Sequence, residues 1–491
     1  MGTLHIKITR AKKELLVFSL ASVAVALIYY GPFLNNFFIL DDYKYIENIF
    51  RGPLDVILGY NSIRVISNSI WWPLYSIFGF DPFIFNLFSI VLYSANAVLL
   101  YLLLSTLLKD RGYALLGGAF FLLNAVGCDA VFWKAASGGL LSLFFCLLTL
   151  YNYVTYRQKG AGFHGVLAVL FFIFAMFSKE DAASLPFIII LIELLYFDGL
   201  KDKKAVLTRA APYIAVVMFY MVTAYLLRSH IDNAKFFKPR PLYALFGGWT
   251  VFFLNPRGFL TMSDPRIYLT GAGIVLSFFW VKDKKVLFLG YGWILLSFLP
   301  QSLTSLGEFQ PRYIITSISR YLYIPSVGSS LIFAAVLLRL REMLSARAFV
   351  IAAAVSLALF AGINNGEVEE RGAQWRKLSE PAKPFLAALK QEMPDFPPDS
   401  HVYVINGPIP RSYMQQALRG FYKRTDISWI FNPEKYTTMP GESAFVIMCD
   451  WKKNDGGVGV DVLQVSNVPK EAINYEMQLN MAKVGETAEK F

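Results

Sequence analysis

The sequence predicts an α-helical polytopic membrane protein with a small C-terminal α/β domain. Apolar residues make up 56% of the 491 residues and charged residues 16%, with a mean hydropathy of +0.47. Soluble domains have roughly 45–50% apolar and 25% charged residues. About eleven apolar segments approach the length of some 20 residues that crosses a bilayer. The composition becomes polar after Gly362, which places the second domain at the C-terminus.

The apolar segments define the predicted spans. They are 15–34, 83–108, 113–127, 137–156, 163–177, 183–198, 210–228, 266–281, 286–300, 321–338 and 347–363. The first continues through Tyr29 and Tyr30 with no small-residue cleavage site after it, so we expect an uncleaved anchor and not a signal peptide. Segment 241–254 is short and bounded by prolines, which indicates an interfacial or re-entrant position.

Positive charge predicts the orientation of these spans. Lys and Arg fall in alternate loops, such as 109–111, 157–159 and 201–209, and such loops remain in the cytoplasm. We therefore expect a cytoplasmic N-terminus and an external C-terminus. The net charge of +11 follows from these loops, and without a basic stripe it does not indicate nucleic-acid binding.

The polar tail predicts a separate domain. We expect domain 1–364 in the membrane and domain 365–491 outside it. Within the tail, His401–Asn406 and Ala444–Cys449 have the pattern of short strands, and Ser412–Arg424 that of a helix.

Several kinds of site are missing from the sequence. It has neither a Walker A loop nor an HExxH motif, which removes support for these nucleotide and zinc sites. Its three cysteines are too few for a disulfide framework.

Residues with reactive side chains fall on the predicted external side. They are Asp41, Asp42, Asp129, Lys179, Glu180, Arg312, Arg320, Tyr321 and Tyr323. A transporter is expected to place such groups near the bilayer midplane. Their position at one interface favours an enzyme that acts on a substrate held at the membrane surface.

The carboxylates have alternative interpretations. Asp41 or Asp42, at the membrane edge, could act as a general base towards a hydroxyl. The pair could equally cap a short helix over 43–50. Asp129 could be a second acid, a metal ligand or a solvated loop carboxylate.

The cations have alternatives as well. Lys179 could neutralise a phosphate, or form an ion pair with Glu180 at a helix end. The run Arg320–Tyr323 could bind a lipid phosphate, or anchor the chain at the interface as Arg and Tyr commonly do.

Five segments resemble, in order, the membrane region of GT-C glycosyltransferases that use polyprenyl-phosphate sugars. The chain is most similar to the transmembrane-and-tetratricopeptide-repeat O-mannosyltransferases and their bacterial relatives. The matching segments are Asp41-Asp42, Phe78-Gly-Phe-Asp-Pro-Phe83, Asn124 to Val131, Ser178-Lys-Glu180, and Arg320-Tyr-Leu-Tyr-Ile-Pro-Ser-Val-Gly328. Two departures occur in the third segment, where Asn124 and Gly127 replace the family's histidines. The tail shows no tetratricopeptide pattern, so the family's acceptor proteins are not implied.

The resemblance implies an inverting transfer of a sugar from polyprenyl phosphate to an acceptor hydroxyl at the outer face. By position, Asp41 resembles the base and Asp42 its partner, and Asp129 stands where the family has a glutamate. The leaving phosphate is an anion that needs cationic or hydroxyl donors. The candidate donor-site residues are Lys179, Glu180, Arg312, Arg320, Tyr323 and Arg64. A divalent metal, Mg²⁺ or Mn²⁺, is compatible with this chemistry, and no residue pattern requires one.

These inferences predict a bacterial inner-membrane glycosyltransferase. Its partners would be the lipid bilayer, a polyprenyl-phosphate-linked sugar, and a periplasmic glycan, lipid or protein acceptor. One alternative is an oligosaccharide polymerase or ligase, and another is a lipid-linked sugar flippase or exporter. The flippase requires charges at mid-membrane, whereas the predicted spans are nearly free of them; Glu193, near the inner end of the sixth span, is the main exception. A structural envelope scaffold would not need Asp41.

Overall fold

The computed structural model describes residues 2–51, 63–197, 199–227, 265–302, 319–451, 458–476 and 478. Arg312 and the segment 241–254 lie outside the described residues. The chain separates into two compact units. The first consists of Met1–Asn35, Asn61–Asn68 and Phe83–Gln374, and the second of Asn36–Tyr60, Ser69–Pro82 and Trp375–Phe491. The boundary predicted at 364/365 falls within the helix Ala346–Ser379.

The first unit is built mainly of apolar helices. Their bounds are Gly2–Tyr30, Pro82–Leu107, Arg111–Leu123, Asp129–Phe132, Ser137–Lys159, Gly162–Ser178, Leu185–Tyr196, Lys203–Leu227, Pro265–Trp280, Lys284–Ser302, Ser319–Leu322, Ser326–Leu338 and Ala346–Ser379. Among the described residues, 5 helical segments have the length and composition of a bilayer span. Every predicted span overlaps a helix. The predicted class, a helical membrane region with a small C-terminal sheet, therefore agrees with the structure, while the number of crossings stays a prediction.

Two predicted spans are each interrupted by a residue that ends the helix before the span is complete. The helix expected over 113–127 ends at Leu123, because the Asn124 side chain accepts the Val126 N–H and caps a 3₁₀ turn over Ala125–Gly127. The span expected over 321–338 is divided at Pro325, which has no N–H to continue a helix.

A buried carboxylate ties three helices of the first unit together. Glu193 is fully buried and accepts hydrogen bonds from Tyr153 Oη at 2.7 Å, Arg157 Nε at 2.5 Å and Arg209 Nη1 at 3.0 Å. A buried charge without such partners would be strongly destabilising. The network therefore accounts for the deep charge as a structural feature.

A four-stranded sheet forms the C-terminal part of the second unit. The strands are β1 (Ser400–Ile405), β2 (Ser428–Trp429), β3 (Ser443–Trp451) and β4 (Val458–Val465), in the order β2-β1-β3-β4. β1 is parallel to β2 and β3, and β4 is antiparallel to β3. The helices are Ala382–Glu392 and Arg411–Tyr422. Both predicted strands and the predicted helix are confirmed to within about two residues, whereas β2 and β4 were not predicted.

The same unit contains helices from the N-terminal third of the chain, Asp41–Arg51 and the larger part of Val65–Phe78. The helix Asp41–Arg51 packs on Arg411–Tyr422. Arg419 Nη1 donates to Glu47 Oε1 at 2.6 Å, and both side chains are largely buried. A Cβ at Gly420 would lie 2.8 Å from Ile46, so this close approach requires glycine. The loop that carries Asp41 and Asp42 is thus supported by the C-terminal helix.

Candidate active site

A cluster of cations and aromatic rings lies at helix ends in the first unit. The Arg320 guanidinium stacks over the Trp133 ring at 4.4 Å, and its Nη2 donates to the Tyr321 hydroxyl at 3.0 Å. The Lys179 ammonium lies 4.7 Å from the centre of the Tyr321 ring. Helix Gly162–Ser178 ends just before Lys179, whose extended backbone turns the chain into the 3₁₀ helix Glu180–Ser184. Cation–π contacts of this kind hold a guanidinium in a fixed plane.

Two cations of this region already have acidic partners. Arg64 binds Glu180 with two hydrogen bonds, Nε to Oε2 at 2.9 Å and Nη2 to Oε1 at 2.5 Å. Lys179 pairs with Asp181 at 2.6 Å. Desolvation alone would raise the pKa of the Glu180 carboxyl, but the Arg64 guanidinium outweighs it and lowers that pKa to about 2. Glu180 is therefore ionised at any physiological pH, and it neutralises Arg64.

Arg320 differs from these two cations. Among the described residues no carboxylate pairs with it, and its Nη1 is buried without a hydrogen-bond partner. A buried donor without a partner costs about 1–3 kcal/mol, and more when the group is charged. The cluster therefore has an excess positive charge and an unsatisfied donor, and an anion would complete it.

Asp129 occupies a different position in the same unit. Its side chain is buried at the start of the helix Asp129–Phe132. Burial disfavours the charged form of Arg371, but the carboxylates of Asp129 and Glu367 outweigh this effect and raise the pKa of Arg371. Glu367 lies 3.3 Å from Arg371. Asp129 thus belongs to a buried charge cluster, and the predicted solvated loop carboxylate does not describe it.

Asn124 and Gly127, which stand where the similar O-mannosyltransferases have histidines, have local structural roles in this chain. Asn124 Oδ1 accepts the Val126 N–H at 2.9 Å, which fixes the turn. A Cβ at Gly127 would lie 2.6 Å from Tyr323 Cδ2 and 3.1 Å from Tyr323 Cα. Tyr323 itself is buried, and its hydroxyl accepts a hydrogen bond from Asn96 at 2.9 Å. The ring of Tyr323 therefore occupies the space that a side chain at 127 would need, and its hydroxyl is bound in the interior.

Gly127→Ala is expected to destabilise the protein by about 1–3 kcal/mol, the usual range for overpacking a buried site. The buried Tyr323 cannot move away from the added methyl group without disturbing its own neighbours. The measurement is the melting temperature of the purified protein in detergent. Gly271→Ala, within the helix Pro265–Trp280, is the control, because nothing lies within 4 Å of a Cβ there. Equal melting temperatures for the two variants would contradict the close packing.

The second unit contains the acidic pair. Asp41 begins its helix, and its side chain is 23% exposed. Its Oδ1 accepts the Tyr413 hydroxyl at 3.2 Å and lies 3.3 Å from Lys44 Nζ, and this Nζ lies 4.8 Å from the centre of the Tyr413 ring. One carboxylate is thus accessible and held by two donors, as a positioned base requires.

The neighbouring Asp42 holds the local backbone in place. It is fully buried, and its Oδ2 accepts the Ile39 N–H at 3.0 Å. The intervening Leu40 adopts a left-handed backbone with φ of 52°, which costs roughly 1–2 kcal/mol for a side chain other than glycine. Asp42 thus ties the backbone of the preceding loop to the first turn of a helix that begins at Asp41 and not at residue 43. Such strain beside an accessible carboxylate is frequent at functional sites.

Some of the predicted site residues lie together in the structure. Arg64 with Glu180, and Lys179 with Arg320 through Tyr321, form groups in the first unit. Sequence reasoning missed Trp133, Arg371 and Tyr413. Lys44 was missed too, although it stands three residues after Asp41, a spacing that brings side chains together on a helix.

The described residues offer no evident metal centre. Within the part of the chain that the structure describes, no group of three or more His, Cys, Asp or Glu could hold a metal ion. Asp41, Glu180 and Asp181 each lie beside a cation instead. As arranged, these described carboxylates do not fit Mg²⁺ or Mn²⁺, because each is already paired with a cation, and the proposed chemistry uses neither ion.

No protein-family model and no curated protein sequence matches the chain. Among solved structures, the fold is similar to ArnT from Cupriavidus metallidurans, whose crystal structure contains undecaprenyl phosphate. The TM-score is 0.49 with 12% sequence identity, over 90% of this chain and 97% of that chain. The likeness is one of overall fold, and the proposals below rest on this chain's own side chains.

Proposed function

We propose that the protein is an inverting glycosyltransferase of the bacterial inner membrane. It moves a sugar from a polyprenyl-phosphate donor to an acceptor hydroxyl on the periplasmic face. The observation that carries the proposal is Arg320, a partly buried cation among aromatic rings at the ends of apolar helices, whose buried Nη1 has no hydrogen-bond partner among the described residues. The phosphate of a polyprenyl-phosphate sugar, a diester in the donor and a monoester after the sugar has left, supplies the missing anion, and its lipid chain holds it at the membrane.

The guanidinium suits the leaving group of this reaction. Arg presents parallel N–H donors that match two phosphate oxygens. Trp133 and Tyr321 hold its plane before the substrate arrives, so little reorganisation is needed when charge moves onto the phosphate. Because Arg64 and Lys179 are neutralised by Glu180 and Asp181, Arg320 supplies the net charge, and the nearby Lys179 Nζ adds an N–H donor.

The accessible carboxylate supplies the base. Asp41 takes the proton of the acceptor hydroxyl while the acceptor oxygen forms a bond to the anomeric carbon. The bond from that carbon to the phosphate oxygen breaks, and its electron pair leaves with the polyprenyl phosphate. Attack opposite the leaving group inverts the anomeric configuration. The leaving phosphate is a stabilised anion, so the step needs no general acid.

The transport alternative has less support from these residues. Glu193, the deep charge that a flippase could use, is satisfied by Tyr153, Arg157 and Arg209. Its interactions account for it as part of the helix packing. Glycosyl transfer, in contrast, gives a role to the buried Nη1 of Arg320, which has no hydrogen-bond partner among the described residues, and to the partly exposed Asp41.

The experiment is an assay of donor consumption by the full-length protein in lipid nanodiscs. Undecaprenyl-phosphate monosaccharides are presented with an envelope extract from a strain that lacks the gene. Mass spectrometry then follows the lipids. Release of undecaprenyl phosphate, dependent on the extract, is expected. Consumption of undecaprenyl-diphosphate oligosaccharide instead would indicate a polymerase or ligase, and no consumption of any donor would overturn the proposal.

A further inference from the structure

A cleft opens in the second unit beside the sheet. Its volume is about 350 Å³, within the range of about 300–1,000 Å³ usual for small-molecule sites. β1 contributes Tyr403, and the helix that follows β1 contributes its first residue, Arg411. Phe431 and Asn432 come shortly after the end of β2. Ligands of parallel α/β sheets commonly bind beyond the carboxyl ends of the strands, where the residues after β1 and β2 lie.

Phe431 is the first unusual feature of the cleft. Its side chain is 74% exposed, although covering a phenyl ring stabilises a protein by roughly 1.5–3 kcal/mol. It stands in the wall of a concavity and not on a flat surface. An exposed ring in this setting can stack on the C–H face of a pyranose, which is apolar, while the hydroxyl groups at the edge of the sugar stay available for hydrogen bonds.

The second feature is a fixed polar network. Glu476, with a side chain only 9% exposed, accepts the Tyr403 hydroxyl and pairs with Arg411. Arg411 is 55% exposed, so it is anchored on one side and accessible on the other. Planar groups held in this way bind neighbouring hydroxyls without losing much side-chain freedom.

The charges of the cleft select the class of ligand. Its lining contains two basic side chains, Arg411 and Lys435, and two acidic ones, Glu434 and Glu476. The sum is zero, so the cleft has no net attraction for a phosphate or for another strong anion. An aromatic ring with balanced polar groups around it favours an uncharged polyhydroxylated ligand.

We propose that this cleft binds neutral sugar residues of a glycan acceptor. The inference rests on the proposed glycosyltransferase function, and it makes the acceptor a carbohydrate. The C-terminal part of the chain would then hold an acceptor chain by sugar units that do not react. Phe431 provides the stacking surface, and Arg411 and Asn432 provide hydrogen bonds to ring hydroxyls.

The test is ligand binding by the full-length protein in nanodiscs, without any donor. The probes are neutral hexasaccharides of glucose, mannose and N-acetylglucosamine, with inorganic phosphate and a heparin hexasaccharide as anionic probes. Saturation-transfer difference NMR gives contacts and dissociation constants. At least one neutral probe is expected to bind, and Phe431→Ala and Arg411→Gln are each expected to weaken it by about tenfold.

Met439→Ala is the matched control, because Met439 is 69% exposed and stands outside the cleft lining. Melting temperatures establish that each variant is folded. Binding of only the anionic probes, binding of no probe, or a neutral probe insensitive to Phe431→Ala would each overturn the proposal. Because the binding assay contains no donor, its failure is distinct from failure of donor consumption.

Discussion

Asp41→Asn is expected to reduce sugar transfer by about 10²–10⁴-fold, the usual contribution of a general base. The amide has nearly the same shape, and its oxygen can still accept the Tyr413 hydroxyl. It cannot accept the proton of the acceptor hydroxyl, so the chemical step should fail while the fold is retained. Asp41 is also partly exposed, which limits the effect of the change on stability.

The measurement is mass spectrometry of envelope glycans, lipids and proteins. The strains to be compared are the wild type, a strain that lacks the gene, and that strain complemented with the wild-type or the variant gene at equal expression. The deletion and Asp41→Asn should lose the same sugar-sized mass. Asp399→Asn serves as the control, since Asp399 is an exposed acid of the same unit. Full restoration by Asp41→Asn would exclude this carboxylate as the base.

Arg320→Gln is expected to slow release of undecaprenyl phosphate by about 10²–10³-fold, as removal of one donor to a developing anion commonly does. Gln keeps a hydrogen-bond donor but removes the charge, and nearby Lys179 is already paired with Asp181. Arg320→Lys should recover only part of the rate, because an ammonium cannot match two phosphate oxygens in one plane.

The control for this variant is Arg347→Gln, at an exposed arginine near the start of the helix Ala346–Ser379. It should consume the donor at the wild-type rate. Donor consumption by Arg320→Gln that equals this control would rule out Arg320 as the phosphate ligand. A loss confined to low donor concentration would instead show that Arg320 binds the ground state and the transition state equally.

Local patterns predicted most of the fold. Apolar length placed a helix at every expected span, and short apolar runs placed β1 and β3. The failures have physical causes. β2 has two residues and gives no periodic signal. Pro325 divides one span that is expected to be continuous, because the apolar residues on both sides of it have the pattern of a single helix.

The sequence predicted several residues of the candidate site, but not the side chains that contact them. Charged residues beside apolar segments indicate a site, as Asp41, Lys179 and Arg320 do. Sequence cannot show that Tyr413, 372 residues from Asp41, donates to it. Nor can it show that the Tyr323 side chain fills the space beside Gly127.

The contact of helix Asp41–Arg51 with helix Arg411–Tyr422 also sets the timing of biosynthesis. A ribosome adding 5–20 residues per second needs roughly 20–70 seconds to pass from Asp41 to Tyr413. During that interval the N-terminal loop exists without the helix that supports it, and Glu47 lacks Arg419. A nascent chain therefore remains without its positioned carboxylate until the ribosome has made the helix Arg411–Tyr422.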